Sequence, residues 1–292
     1  MSALEQRRAI ARRLSQYKLQ YAEEEPLNPE DLMLSLDGKS AGGERFLGYY
    51  SPEGLDYALR AYGVYQELSK RGFDKLVLHL DCRDPFAQRL SLFDGERDNQ
   101  HLIHELLVRR RRLRFDAGLG PILADQSFEF LAVDWICLQN PRQSFDLAHP
   151  RLPGQTRPGL RMGALMMDLI RLSAERLELA GVSLIPAWLH NAVMYHPVCR
   201  FLVPAAEGRL QALIRDLVLP QGLADASWAV ENGLVQENGM DFAWFHLDQV
   251  MALEPRLQGY FRSPDYQAQV KTARLSHHYQ LRDMPPGAKL SA

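Results

Sequence analysis

The residues of this chain best suited to chemistry fall between positions 128 and 201. His190 stands beside Asn191, and an imidazole titrates close to neutral pH. It could take a proton from a substrate, directly or through water; the other reading is a hydrogen-bonded structural histidine. Asp134 is the lone acid inside the run Phe130-Leu131-Ala132-Val133-Asp134-Trp135-Ile136-Cys137-Leu138. A carboxylate there is unfavourable unless it is paired or functional, so it is a candidate base or the partner of an arginine. Between the two runs Pro153-Gly154-Gln155-Thr156-Arg157-Pro158-Gly159-Leu160-Arg161-Met162-Gly163. Glycines let successive backbone N–H groups approach an anion, and a helix starting here adds a favourable field at its N-terminus. Arg157 and Arg161 add cationic donors. This is chemistry suited to a phosphate-bearing ligand.

These residues need a frame. Residues 128–139 are apolar on both faces and read as a central strand covered on both sides. Met162, Leu165, Met166, Leu169 and Leu172 recur at helical spacing, so a helix follows the glycine segment and stops near Gly181. Met162, Met166 and Met167 read as core filler. A second strand follows over 182–185, then residues 187–195, with Phe201 beyond.

Upstream, residues 1–21 read as an Arg-rich amphipathic helix, an arm packed on the main body. Residues 23–29 and 38–43 are loop-like. Ser51-Pro52-Glu53 has the form of a helix start, with the hydroxyl as cap and proline at the first helical position. That helix carries Leu55, Leu59, Tyr62, Tyr65 and Leu68 inward and ends at Arg71-Gly72. Strands over 75–81, 89–93 and 101–109 make an antiparallel meander, with Asp94-Gly95 as turn chemistry. Arg109 to Arg112, with Arg114, end the third strand as a solvated tip or as a cationic rim for an acidic partner. Downstream, residues 207–219 are amphipathic. Residues 221–292 mix short apolar pieces (Trp228-Ala229-Val230, 242–245) with a helix over 264–281, and the end from Pro285 should fray. The expected organisation is an N-terminal arm and loop (1–50), a core (51–219) and a C-terminal elaboration packed on it (220–292).

Bulk properties exclude several classes. The 292 residues, 46% hydrophobic and 24% charged, have the composition of an ordinary globular protein. A net charge of -2 gives no global reason for nucleic-acid or membrane binding. The sequence has no apolar run of spanning length and no signal-peptide core at its start, so a cytoplasmic protein is expected. Cys82, Cys137 and Cys199 are scattered and read as buried free thiols in a reducing compartment. No His/Cys/Asp cluster has ligand spacing, so no metal is expected.

The order helix, three-strand meander, apolar fourth strand, basic glycine turn, helix, strand, helix, strand resembles the Gcn5-related N-acetyltransferase (GNAT) fold over residues 52–203. The segment Arg157-Pro158-Gly159-Leu160-Arg161-Met162-Gly163-Ala164-Leu165 is similar to the family's pyrophosphate loop, Gln/Arg-x-x-Gly-x-Gly/Ala, and the resemblance adds Gln155 just before it to the cofactor site. With Gly163 in the last position, Arg161 stands where the family has its first glycine. Asn191-Ala192-Val193-Met194-Tyr195, with Arg200-Phe201 after it, is similar to the later family motif. The fold class implied is α/β, a mixed, mostly antiparallel central sheet flanked by helices, with helical additions at both ends.

The resemblance also implies an activity. It is transfer of an acyl group from acetyl-CoA or another acyl-CoA to a small-molecule or peptide amine. Backbone amides over Ile136, Cys137 and Leu138 would meet the acyl carbonyl and pantetheine arm, and Asn191 would join the donor site. Tyr195 matches the family's general acid for the leaving thiolate, or is a buried anchor between helix and sheet. Two other functions remain open. One is a GNAT fold that binds a metabolite, peptide or protein without catalysis. The other is a transferase fed by an acyl carrier protein docking on Arg109 to Arg112. A homodimer is compatible with either.

Overall fold

The structure is a computed structural model and describes residues 2–20, 45–146 and 149–282. The loop-like stretches expected at 23–29 and 38–43, and the end from Pro285, lie outside the described residues.

The architecture is mixed α/β, a large and mostly antiparallel sheet flanked by helices. Its strands are β1 (Leu76–Asp81), β2 (Gln88–Asp94), β3 (Leu102–Arg114), β4 (Ser127–Leu138), β5 (Gly181–Leu184), β6 (Arg200–Phe201) and β9 (Gln249–Ala252). They lie in the order β1-β2-β3-β4-β5-β9-β6. The meander is present, with Leu78 opposite Leu92 and Leu92 opposite His104. A smaller sheet holds β10 (Tyr279–Leu281), β7 (Val235–Glu237) and β8 (Met240–Asp241), in that order. Among the described residues no helix is long and apolar enough to cross a membrane.

The chain divides into two compact units, and the boundary passes through β3 and β4 instead of between successive segments. The first unit holds the described residues up to Arg110, with Val133–Pro141 and Gly159–Leu177. It contains α1 (Ala3–Arg13), α2 (Gln16–Gln20), α3 (Pro52–Ala61), α4 (Val64–Ser69) and α5 (Gly163–Arg176). The N-terminal arm is two helices, not one, and it is held by charge. Arg7 pairs with Asp168 and Arg8 with Glu175, and Arg176 donates to the carbonyls of Ala11 and Leu14. Ser51 caps α3 as expected, its hydroxyl accepting from the Gly54 amide at 2.9 Å. The helix expected from 52 to 71 breaks at Gly63, whose φ of 78° lies in the left-handed region that glycine adopts without penalty.

The second unit holds Arg111–Ala132, Arg142–Pro158 and the described residues from Glu178 onward. Here α6 (Leu189–Tyr195), α7 (Pro204–Leu213), α8 (Leu223–Glu231), α9 (Pro255–Arg262) and α10 (Pro264–Ser276) pack around two apolar clusters. The helix expected over 264–281 stops at Ser276, and its last residues form β10 instead. The segment expected to be an elaboration contributes to the main sheet. Its β9 lies between β5 and β6, with Val182 opposite Met251 and Phe201 opposite Gln249. A four-residue strand offers too little pattern to be told from a loop.

The central strand departs from expectation. Residues 130–133 of β4 are buried, but Ser127, Asp134 and Trp135 are exposed and the rest of the strand is half-covered. Apolar content alone did not decide coverage, because it records which side chains could be buried and not which neighbours arrive.

Candidate functional site

The sequence-predicted residues distribute over both units. Asp134, Ile136, Cys137, Leu138, Gly159, Arg161 and Gly163 belong to the first, and Gln155, Arg157, His190, Asn191 and Tyr195 to the second.

In the first unit, the glycine segment returns to the end of β4. Gly159 bridges Gln139, and the Leu160 amide donates to the Leu138 carbonyl at 3.4 Å. Arg161 then adopts φ 56°, a conformation an L side chain takes only at a penalty of about 1–2 kcal/mol. Met162 turns into α5 without a side-chain cap, and Gly163 opens the helix. The first-turn N–H groups have no acceptor within the helix, and a Cβ at Gly163 would meet nothing within 4 Å. Arg161 and Gly163 are exposed. The result is a donor-rich, cation-flanked helix start with open space before it.

Asp134 takes the paired reading. Arg109 Nε donates to its Oδ2 at 2.7 Å and a terminal nitrogen to Oδ1 at 3.3 Å. A carboxylate so held is poorly placed as a base. Two more arginines of the run are likewise engaged internally, Arg110 donating to the Leu47 carbonyl and Arg111 forking onto Asp248, while Arg112 is exposed. The period of two along β3 sends successive arginines to opposite faces, where each finds a separate acceptor. Burial pushes the Cys137 thiol up to about 11, and its carbonyl accepts from His104 Nδ1 at 2.7 Å. The three cysteines are free thiols; Cys199 is buried and the other two half-buried.

In the second unit, Gln155 serves its own turn. Its side-chain oxygen accepts from the Leu152 amide and its carbonyl from Arg151. Arg157 is exposed. Gly154, at φ 74°, lies so close to Trp188 that a Cβ would stand 2.3 Å from the indole. That indole stacks on His190, ring centroids 5.8 Å apart and 13° from parallel. His190 is 2% exposed, and its Nδ1 has no partner among the described residues. Burial pulls its pKa down to about 4, so the ring is neutral where free histidine would begin to protonate. The expectation of a titration near working pH fails for that reason. Burial pushes Tyr195 up to about 12, with the Cys199 thiol adding to the effect. Five residues on α6 separate His190 from Tyr195, about 140° around the axis, so they do not share a face. Asn191 and Tyr195, four apart, do.

Sequence reasoning missed other polar groups. Glu207 is 1% exposed and accepts from His196, Gln211 and the Phe201 amide. Burial acts to raise its pKa, but the hydrogen bond and charge of His196 outweigh it, and the carboxyl sits below its ordinary value. In the β2–β3 turn, ligand atoms of Glu96, Asp98 and His101 lie within 4.8 Å of one another. That corrects the expectation of no such cluster, although Asp98 Oδ1 already accepts from His101 Nδ1 and two amides. His104, 2% exposed, leaves Nε2 without a partner among the described residues, and burial pulls its pKa to about 4. In the sequence it stands between Ile103 and the charged Glu105, a setting that gives no signal of burial.

The two buried imidazoles predict acid sensitivity. Between about pH 6.5 and 4 the unfolded chain holds protons on both rings that the folded chain does not. Stability is therefore intact above pH 6.5 and is lost as pH falls through that window, by on the order of 3 kcal/mol per ring at most. Urea midpoints should drop between pH 7 and 5, less steeply in His104→Gln; equal midpoints would contradict the assignment. Compared with known protein families and with curated proteins, the chain matches none.

Proposed function

We propose that the chain is a GNAT-like acyltransferase that moves an acyl group from acyl-CoA to an amine. What carries the reading is the turn into α5. At the position where the family has its first glycine, Arg161 holds the left-handed backbone that glycine favours, and an uncapped helix start with Gly163 follows. The element order from α3 to β6, a meander and fourth strand followed by helix, strand, helix and strand, supports the same reading. The α5 N-terminus would take the donor's phosphates, with Arg161 as a charged donor and Ile136 to Leu138 along the pantetheine arm. Tyr195, protonated throughout the neutral range, suits return of a proton to the leaving thiolate. The carrier-protein alternative, which called on Arg109 to Arg112, is weakened because Arg109, Arg110 and Arg111 are engaged within the fold, leaving the exposed Arg112.

The test is a calorimetric titration with acetyl-CoA. Micromolar binding is expected, and Arg161→Ala should weaken it by about 1.5–3 kcal/mol, the worth of a hydrogen bond to a charged group. A flat titration of the folded protein would remove acyl-CoA as donor and leave a non-catalytic binding module as the surviving reading.

A further inference from the structure

Strand β1 is the first in the sheet order, and among the described residues nothing pairs with its outer side. All six of its residues are half-buried, whereas its inner neighbour β2 is largely buried. The hydrogen-bond parity of this edge can be worked out. The Gly95 amide donates to the Lys75 carbonyl, and Val77 stands opposite Phe93, so the odd-numbered residues bond inward to β2. The N–H and C=O groups of Leu76, Leu78 and Leu80 therefore point outward. An exposed row of this kind is a template for another strand.

We propose that two copies of the chain pair antiparallel through β1 about a two-fold axis at Leu78. In that register Leu78 meets Leu78 and Leu76 meets Leu80, and every outward group finds a partner in roughly six inter-chain hydrogen bonds. The leucines of each copy fall on one sheet face and form a continuous stripe across the join. Charge selects the same register. It sets Lys75 of one copy opposite Asp81 of the other at both ends, while a shift by two residues loses these pairs. Lys75 is exposed, and Asp81, held by Arg83, stays ionised with its pKa near 2.

Sedimentation velocity of the full chain over micromolar concentrations tests this. A reversible dimer is expected. Leu78→Pro removes an outward N–H that the intramolecular ladder does not use, a change edge strands accept, and should raise the dimer Kd at least about tenfold with little change in melting. If that variant fails to fold, charge reversal decides. Lys75→Asp should weaken the dimer, and Lys75→Asp with Asp81→Lys should restore it. A monomer at every concentration overturns the proposal, as does a dimer indifferent to these substitutions. A Leu78 amide protected from hydrogen exchange in a monomer also overturns it.

Discussion

Replacing Tyr195 with phenylalanine should lower acyl-transfer turnover by about 10²–10⁴-fold while leaving the fold in place, the usual reach of a positioned proton donor. The leaving thiolate must be reprotonated, and only a group that holds its proton at neutral pH can donate one. A tyrosine phenol holds its proton there, and burial pushes that of Tyr195 further up, to about 12. No side-chain hydrogen bond of Tyr195 is found among the described residues, so losing the hydroxyl should change stability by less than about 1 kcal/mol. The measurement is steady-state turnover with acetyl-CoA and an accepted amine, beside a melting curve. Normal turnover in a protein that melts several degrees earlier would make Tyr195 an anchor of α6. The companion His190→Gln should remove an inflection near pH 4 from the rate profile, not one near neutrality, because burial has moved the ring that far.

Gly163→Glu should reduce acetyl-CoA affinity by at least about 100-fold and leave the melting temperature unchanged or slightly raised. The two effects have opposite signs for one electrostatic reason. A carboxylate in the first turn of a helix stabilises it by about 0.3–1 kcal/mol through the dipole. The space before Gly163 receives the side chain without collision. The same negative charge would stand where the proposed ligand brings its phosphates, and a loss of about 2.7 kcal/mol is a hundredfold in affinity. Unchanged affinity in a folded variant would place any CoA site away from α5. Because stability and binding are read separately, misfolding cannot imitate the expected result.

Much of the frame was legible in the sequence. The Ser51 cap, the meander, the α5 periodicity and the β5–α6 succession all rest on local rules, namely capping hydroxyls, a period of two and a period near 3.6. Errors came where a second chain segment decides. Nothing in residues 62–63 outweighed a continuous helical pattern until Gly63 took a left-handed φ. Tyr279 to Leu281 look helical in isolation and become strand because Val235 to Glu237 offer an edge.

The candidate site divides along the same line. Its residue types, a glycine-bearing basic turn before a helix and a tyrosine after a later strand, follow from composition and spacing alone. What those residues are able to do was decided by tertiary neighbours. Arg109 claims Asp134, and Gly159 bridges Gln139 at the end of β4 just before Arg161 takes a glycine-like backbone. Trp188 and the core around α6 strip water from His190 and lower its pKa to about 4. A side chain's pKa and partners depend on groups far away in sequence, through distance and local dielectric, so no reading of adjacent residues contains them.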